Sequence, residues 1–247
     1  MPKLFNFTTN RRGLLVYGGE GSADFGIVIS EAPAFERPTR KQTIYTVPGR
    51  NGAQIIQDDA WNDVNRVYKV WAADSADKDL VDTVNEVEAW LNSKTGYNRL
   101  EDSFEPEYYR LAYYSGGDSF SNAMMQYGAA SLKFTCRPER FLKAFDDAIE
   151  VLTGDKLVNE TRFTAKPLIH LEGSGIVTFS IEGVTITASI DDYINIDSET
   201  MNAYREPAEN KNADIAGTFP TIAPGVSNIN ITGTVTKATI VPRYFTI

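Results

Sequence analysis

The chain has 247 residues, 42% apolar and 23% charged, which excludes global disorder and leaves room for one large β domain or two ordinary ones. Its 24 Lys and Arg face 33 Asp and Glu, and the net charge of -9 excludes a protein that wraps nucleic acid through counterion release. One cysteine, Cys136, and one histidine, His170, exclude an intramolecular disulfide framework, a multi-cysteine zinc site and a histidine-rich metal cluster.

In chain order, the first third reads as strands and turns. The N-terminus reaches Arg11-Arg12 without the pattern of a secretory signal, and no run approaches about 18 apolar residues, so neither export nor membrane insertion is expected. Gly13–Tyr17 and Phe25–Ile29 are short apolar runs; Gly18-Gly19-Glu20-Gly21 between them leads to no helix and reads as a turn rather than a phosphate loop. Pro33, Pro38 and Pro48 restrict any strand among them to a short or edge position, and Ile44–Val47 alternates weakly. Asn51-Gly52 suits a tight hairpin. Val64–Trp71 alternates well, with Val64, Arg66 and Tyr68 on one face and Val67 and Lys69 on the other.

One helix is expected over Asp77–Leu91. Leu80, Val84, Val87 and Leu91 form its apolar stripe with Trp90 beside it, Asp77, Asp79 and Asp82 favour its start, and Gly96 suits its end. Tyr127–Arg137 is strand-like, with Ala130, Leu132, Phe134 and Cys136 on one face and Pro138 as its end. Asp146–Asn159 is polar and reads as a connection between domains. From Lys166 onward the short runs Leu168–Leu171, Val177–Ile181, Val184–Ile190, Tyr193–Ile196, Ile229–Ile231 and Val235–Val241 suggest a β-sandwich. Gly173-Ser174-Gly175 and Glu182-Gly183 are its hairpin candidates.

A search for chemistry returns little. Asp191, Asp192, Asp197 and Glu199 lack the pattern of a calcium loop and read as solvated strand ends. Glu101, Asp102, Glu105 and Glu107 could be drawn as a glycosidase pair, but Arg99 and Arg110 stand close enough in sequence to neutralise them. His170 lies between Ile169 and Leu171 in a strand, with Glu172 able to share its sheet face, and reads as structural. Cys136 falls on a buried face and reads as inert. The Asn-x-Thr triplets at Asn6, Asn159 and Asn230 carry no weight without a secretory signal. No catalytic, cofactor or metal site is expected, and the polar residues point to a structural or binding protein.

An ordered series of short motifs then carries a resemblance. It begins with Pro48-Gly49-Arg50-Asn51-Gly52, Glu88-Ala89-Trp90-Leu91 and Gly96-Tyr97-Asn98-Arg99-Leu100-Glu101-Asp102-Ser103. Glu105-Pro106-Glu107-Tyr108-Tyr109-Arg110-Leu111-Ala112 and Leu132-Lys133-Phe134-Thr135-Cys136-Arg137-Pro138 follow. Lys166-Pro167-Leu168-Ile169, Gly217-Thr218-Phe219-Pro220 with Ala223-Pro224-Gly225, and Pro242-Arg243-Tyr244 complete it. The series resembles the distal tail proteins (Dit) of long non-contractile-tailed bacteriophages over almost the whole chain. It departs at Ser227-Asn228, where that family often has Asn directly after Pro-Gly.

The resemblance implies a mainly β fold: an N-terminal β-sandwich with one α-helix and an extended hairpin arm, in residues 1–150, and a C-terminal galectin-like β-sandwich in residues 151–247. It implies a homo-hexameric ring in the virion tail tip, made in the host cytoplasm. The ring would join the tail tube protein to tail-tip and receptor-binding proteins and let DNA pass without specific binding. The arm would include Pro48–Asp59, so Gly49, Arg50, Asn51, Gly52, Gln54, Ile55, Ile56 and Gln57 are the oligomer-interface candidates. Ile55 and Ile56 either bury in an adjacent subunit or lie in their own core. Six copies at -9 would carry roughly -54, and an acidic bore would repel DNA. The rival reading is a carbohydrate-binding module, for which Tyr193, Tyr204, Tyr244, Phe219 and Phe245 are the available C-terminal rings.

Overall fold

The computed structural model describes residues 13–73, 79–117, 121–124, 127–206 and 209–247. Backbone contacts divide the chain into two compact units, one up to Arg140 plus the terminal Ile247, the other Phe141–Thr246. Asp77 and the Asn6 triplet lie outside the described residues.

The strands of the first unit are β1 (Leu15–Tyr17), β2 (Glu20–Gly21), β3 (Ile27–Ile29), β4 (Arg40–Thr46), β5 (Ala53–Trp61), β6 (Val64–Ala73), β7 (Asn98–Asp102), β8 (Tyr108–Gly117), β9 (Ser121–Met124) and β10 (Tyr127–Leu142). The main sheet runs β2-β1-β7-β8-β10-β6-β3, with β9 on β10, while β4 and β5 form a separate two-stranded sheet. Period-2 alternation puts Val64, Tyr68 and Val70 of β6 and Leu132, Phe134 and Cys136 of β10 in the core. The helix α1 (Leu80–Ser93) starts where Asp79 caps it by accepting from the Asp82 N–H at 2.9 Å. Val87, Trp90 and Leu91 bury on the sheet; the Trp90 indole donates to the Tyr17 carbonyl at 3.1 Å and its ring stacks on Phe25.

Two expectations fail here. β10 does not end at Pro138 but runs to Leu142: its β6 neighbour has already stopped, at Val64 opposite Cys136, so on that side the ladder needs no donor at position 138. The helix closes at Ser93 with Lys94 as its cap, and Gly96, expected directly after the cap, lies two residues past it with φ 67° in the turn before β7.

The second unit contains β11 (Ile149–Glu150), β12 (Lys156–Asn159), β13 (Leu168–Ile181), β14 (Val184–Asp197), β15 (Asn202–Tyr204), β16 (Ile215–Gly217), β17 (Gly225–Val241) and β18 (Phe245–Thr246). Its sheet runs β11-β17-β13-β14-β15, with β12 on β17 and β16 on β14. Ile169 and Leu171 from one half of β13 share a core with Val177, Phe179 and Ile181 from the other, so the sheet folds over itself as a sandwich. Asp146–Asn159 is therefore not a free connection: Ile149–Glu150 and Lys156–Asn159 are strands, and Val151 and Leu157 are buried in this core.

The short runs expected here fuse into three long strands. Glu182-Gly183 is a two-residue hairpin, with φ 47° and 82°. Gly173-Ser174-Gly175 is not a hairpin but part of a bulge inside β13. Between the pairs Ser174↔Thr234 and Thr178↔Thr232, three β13 residues oppose the single Gly233. A Cβ on Gly233 would meet the Ile176 carbonyl at 2.5 Å, and one on Gly173 the Thr234 carbonyl at 2.2 Å. Glycine at both positions lets the two backbones close on each other.

Candidate assembly surface: an exposed arm and its buried root

The β4–β5 hairpin carries the interface candidates. Every residue from Thr39 to Asp59 is exposed. Ile55 is 54% and Ile56 48% exposed, so neither lies in its own unit's core, and that alternative is excluded. Ile44 pairs with Ile55, Thr43 with Ile56 and Tyr45 with Gln54. Opposed residues share a face, so Ile44 and Ile55 lie on one side of the ribbon and Tyr45 and Ile56 on the other. The apolar surface is thus two-sided.

The arm is longer than expected, starting at Arg40, and its tip is not a two-residue Asn-Gly turn. The connection spans Val47–Gly52, with Gly49 at φ 80° and Gly52 at φ 82° and Arg50 N–H donating to the Val47 carbonyl at 3.2 Å. Gly49, Arg50, Asn51 and Gly52 thus form the exposed tip, and Gln54, Ile55, Ile56 and Gln57 lie along β5. Ile44 and Tyr45 on β4, and Val47 at the start of the connection, were missed as candidates; the weak alternation of Ile44–Val47 was their signal.

The root of the arm is tied down. The Asn62 backbone N–H donates to the Thr39 carbonyl at 2.8 Å, its side-chain amide to the Thr39 hydroxyl at 3.0 Å, and Arg40 lies over the Trp61 ring. Beneath it is a buried charge cluster. Arg66 is 3% exposed and donates to Asp102 at 2.9 Å, with Glu105 at 3.1 Å. Tyr68 donates its hydroxyl to the same Asp102 oxygen at 2.7 Å, and the Phe104 and Glu105 N–H groups donate to the other. Glu105 also holds Arg110 at 3.2 Å and Arg140 at 2.8 Å.

Burial opposes the charge on Asp102, but Arg66 and the hydrogen bonds from Tyr68 and the Glu105 N–H outweigh it and hold the carboxyl below its ordinary pKa. Burial, with Asp102 adding to it, pushes the Tyr68 hydroxyl well above its own. Of the four carboxylates considered as a glycosidase pair, three are engaged with arginines, Glu101 with Arg99, Asp102 with Arg66 and Glu105 with three, and Glu107 is exposed. Cys136 is buried beside this cluster and its thiol is pushed up to about 12, chiefly by burial.

No protein-family model and no curated protein matches the chain. The SPP1 Dit protein, described as a paradigm of the hub adsorption apparatus in phages infecting Gram-positive bacteria, matches 96% of this chain over 100% of its own, with TM-score 0.71 and 13% identity. The fold is that of Dit. Chains of the phage P2 baseplate in its activated conformation, with Ca and with Sr, match 94% of this chain at TM-scores of 0.54 and 0.53 and 8% identity.

Among the described residues no group of three or more His, Cys, Asp or Glu side chains is placed to hold a metal ion. Asp197 is not a solvated strand end: it is buried, accepts from Arg243 at 2.7 Å, and takes the Glu199 N–H at 2.9 Å. His170 sits between Asn195 at 2.8 Å and Glu172 at 3.2 Å. Among the rings named for sugar stacking, Tyr244 is buried, Tyr193 has the Arg205 guanidinium 5.6 Å from its ring centre, and Phe245 stacks on Phe163. No described helix is long and apolar enough to cross a membrane.

Proposed function

We propose that this protein is a structural hub of a bacteriophage tail tip, closing into a homo-hexameric ring between the tail tube protein and the tail-tip and receptor-binding proteins, with DNA passing through. The observation that carries this reading is the arm. A two-stranded ribbon with Ile44 and Ile55 on one face and Tyr45 and Ile56 on the other leaves all four side chains about half exposed, and an isolated hairpin is at best marginal in water. A cover supplied by the next copy supports a head-to-tail contact, which closes into a ring when the rotation is right. The SPP1 Dit likeness over nearly the full chain supports the same reading.

The test is assembly of the purified chain. Negative-stain images are expected to show six-fold rings with a central hole. Ile55→Asp is expected to shift the protein to smaller species in sedimentation velocity while leaving its circular dichroism unchanged. A parent chain that stays a monomer at every concentration, or an Ile55→Asp ring as stable as the parent's, overturns the proposal.

A further inference from the structure

The stretch Ala34–Glu36 leads from β3 into the arm, and β6 holds it at three points. Arg66 Nη1 donates to the Ala34 carbonyl at 3.5 Å, its guanidinium carbon lies 5.1 Å from the Phe35 ring centre, and the Asn65 N–H donates to Glu36 Oε2 at 3.0 Å. The same guanidinium is fixed from behind: Nη2 meets Asp102 and Glu105, and Nε donates to the Tyr68 hydroxyl at 3.4 Å. One rigid planar fork therefore has its far side locked in the core and its near side on the strap that enters the arm.

We propose that Arg66 is the positioning residue of the arm, setting the direction in which β4–β5 leaves the sheet and hence the way it meets a second copy of this chain. Two physical points carry this. A buried ion pair contributes little stability over a well-packed apolar pair, so what Arg66 adds is directional: several donors held in one plane. Phe35, 62% exposed, gains little by burial where it sits, yet its ring lies against the guanidinium. Removing the fork would let the arm sample several directions, and only one of them fits the neighbour.

This inference rests on the arm serving assembly, but its test reads the arm directly in full-length protein. Nitroxide labels are placed at Asn51→Cys on the arm tip and Val81→Cys on α1, both exposed; buried Cys136, its thiol pushed up to about 12, stays unlabelled. Pulsed dipolar distances at a dilution where the chain is monomeric should give one narrow maximum.

Arg66→Lys keeps a positive charge beside Asp102 but cannot span from the carboxylates to Ala34, and Phe35→Ala leaves the Arg66–Asp102 pair intact. Both should lose the single maximum. If the fitting direction falls to about a tenth of the population, the apparent dissociation constant for assembly of the unlabelled variants rises about tenfold. A distance distribution unchanged in both variants overturns the positioning role whatever the assembly state. A parent chain that never assembles overturns the hub reading, while the distances still decide the role of Arg66.

Discussion

Asp102 accepts four hydrogen bonds, one of them its ion pair with Arg66, at a position 5% exposed, and its neighbours act as a unit. Because its carboxyl titrates lower in the folded chain than in the unfolded one, its contribution is complete above about pH 4 and lost as pH falls through the lowered folded value. Stability of the first unit should therefore drop steeply below about pH 4. Asp102→Asn should lower stability at pH 7 by about 1–3 kcal/mol, since it weakens one charge-assisted pair while Glu105 still faces Arg66. It should also shrink the difference between urea midpoints at pH 7 and pH 3; an undiminished difference would show that Asp102 does not set the acid limb. Half of this cluster was legible beforehand: alternation placed Arg66 on one face with Val64 and Tyr68, and a cation on an apolar face announces a buried partner. Its carboxylate, 36 residues away on β7, was not legible, because sequence spacing carries no register between distant strands.

Glycine is where the elements proved hardest to read. The same residue type ends strands at Glu182-Gly183 and bends them at Gly173 and Gly233, and only the paired strand reveals which. The bulge makes a sharp prediction. Gly233→Ala combines φ 107° with a carbonyl 2.5 Å from the new Cβ, whereas Gly154→Ala has φ 94° and open space around it. Both meet backbone strain of about 1–3 kcal/mol, but the clash should make Gly233→Ala the worse by at least about 1 kcal/mol in chemical denaturation. Equal costs would mean the bulge relaxes freely. The helix, by contrast, was legible because its stripe repeats within one element and its cap is local. Replacing its cap, Asp79→Ala, should cost about 1 kcal/mol in thermal unfolding, and no loss would assign the helix start to packing alone. The arm was legible as a place rather than as an extent: Asn51-Gly52 marked the tip, while β4, interrupted by no strong alternation and fully exposed, gave little periodic signal.

Across the whole molecule, charge is unevenly spread. Residues 1–140 hold 16 Lys and Arg against 19 Asp and Glu, and residues 141–247 hold 8 against 14, so two thirds of the net -9 belongs to the second unit. A ring built on the first unit would thus carry a far weaker negative field than the whole-chain figure suggested. It should still not hold DNA: no retardation of double-stranded DNA is expected in a gel shift at about 0.15 M salt, and a salt-sensitive complex would contradict free passage. The arm has a further, calorimetric consequence. Its apolar residues are hydrated in the single copy and dry once covered, so self-association should carry a markedly negative heat-capacity change. Assembly would then weaken on cooling, and cold, dilute storage would release subunits whose arms are wet again.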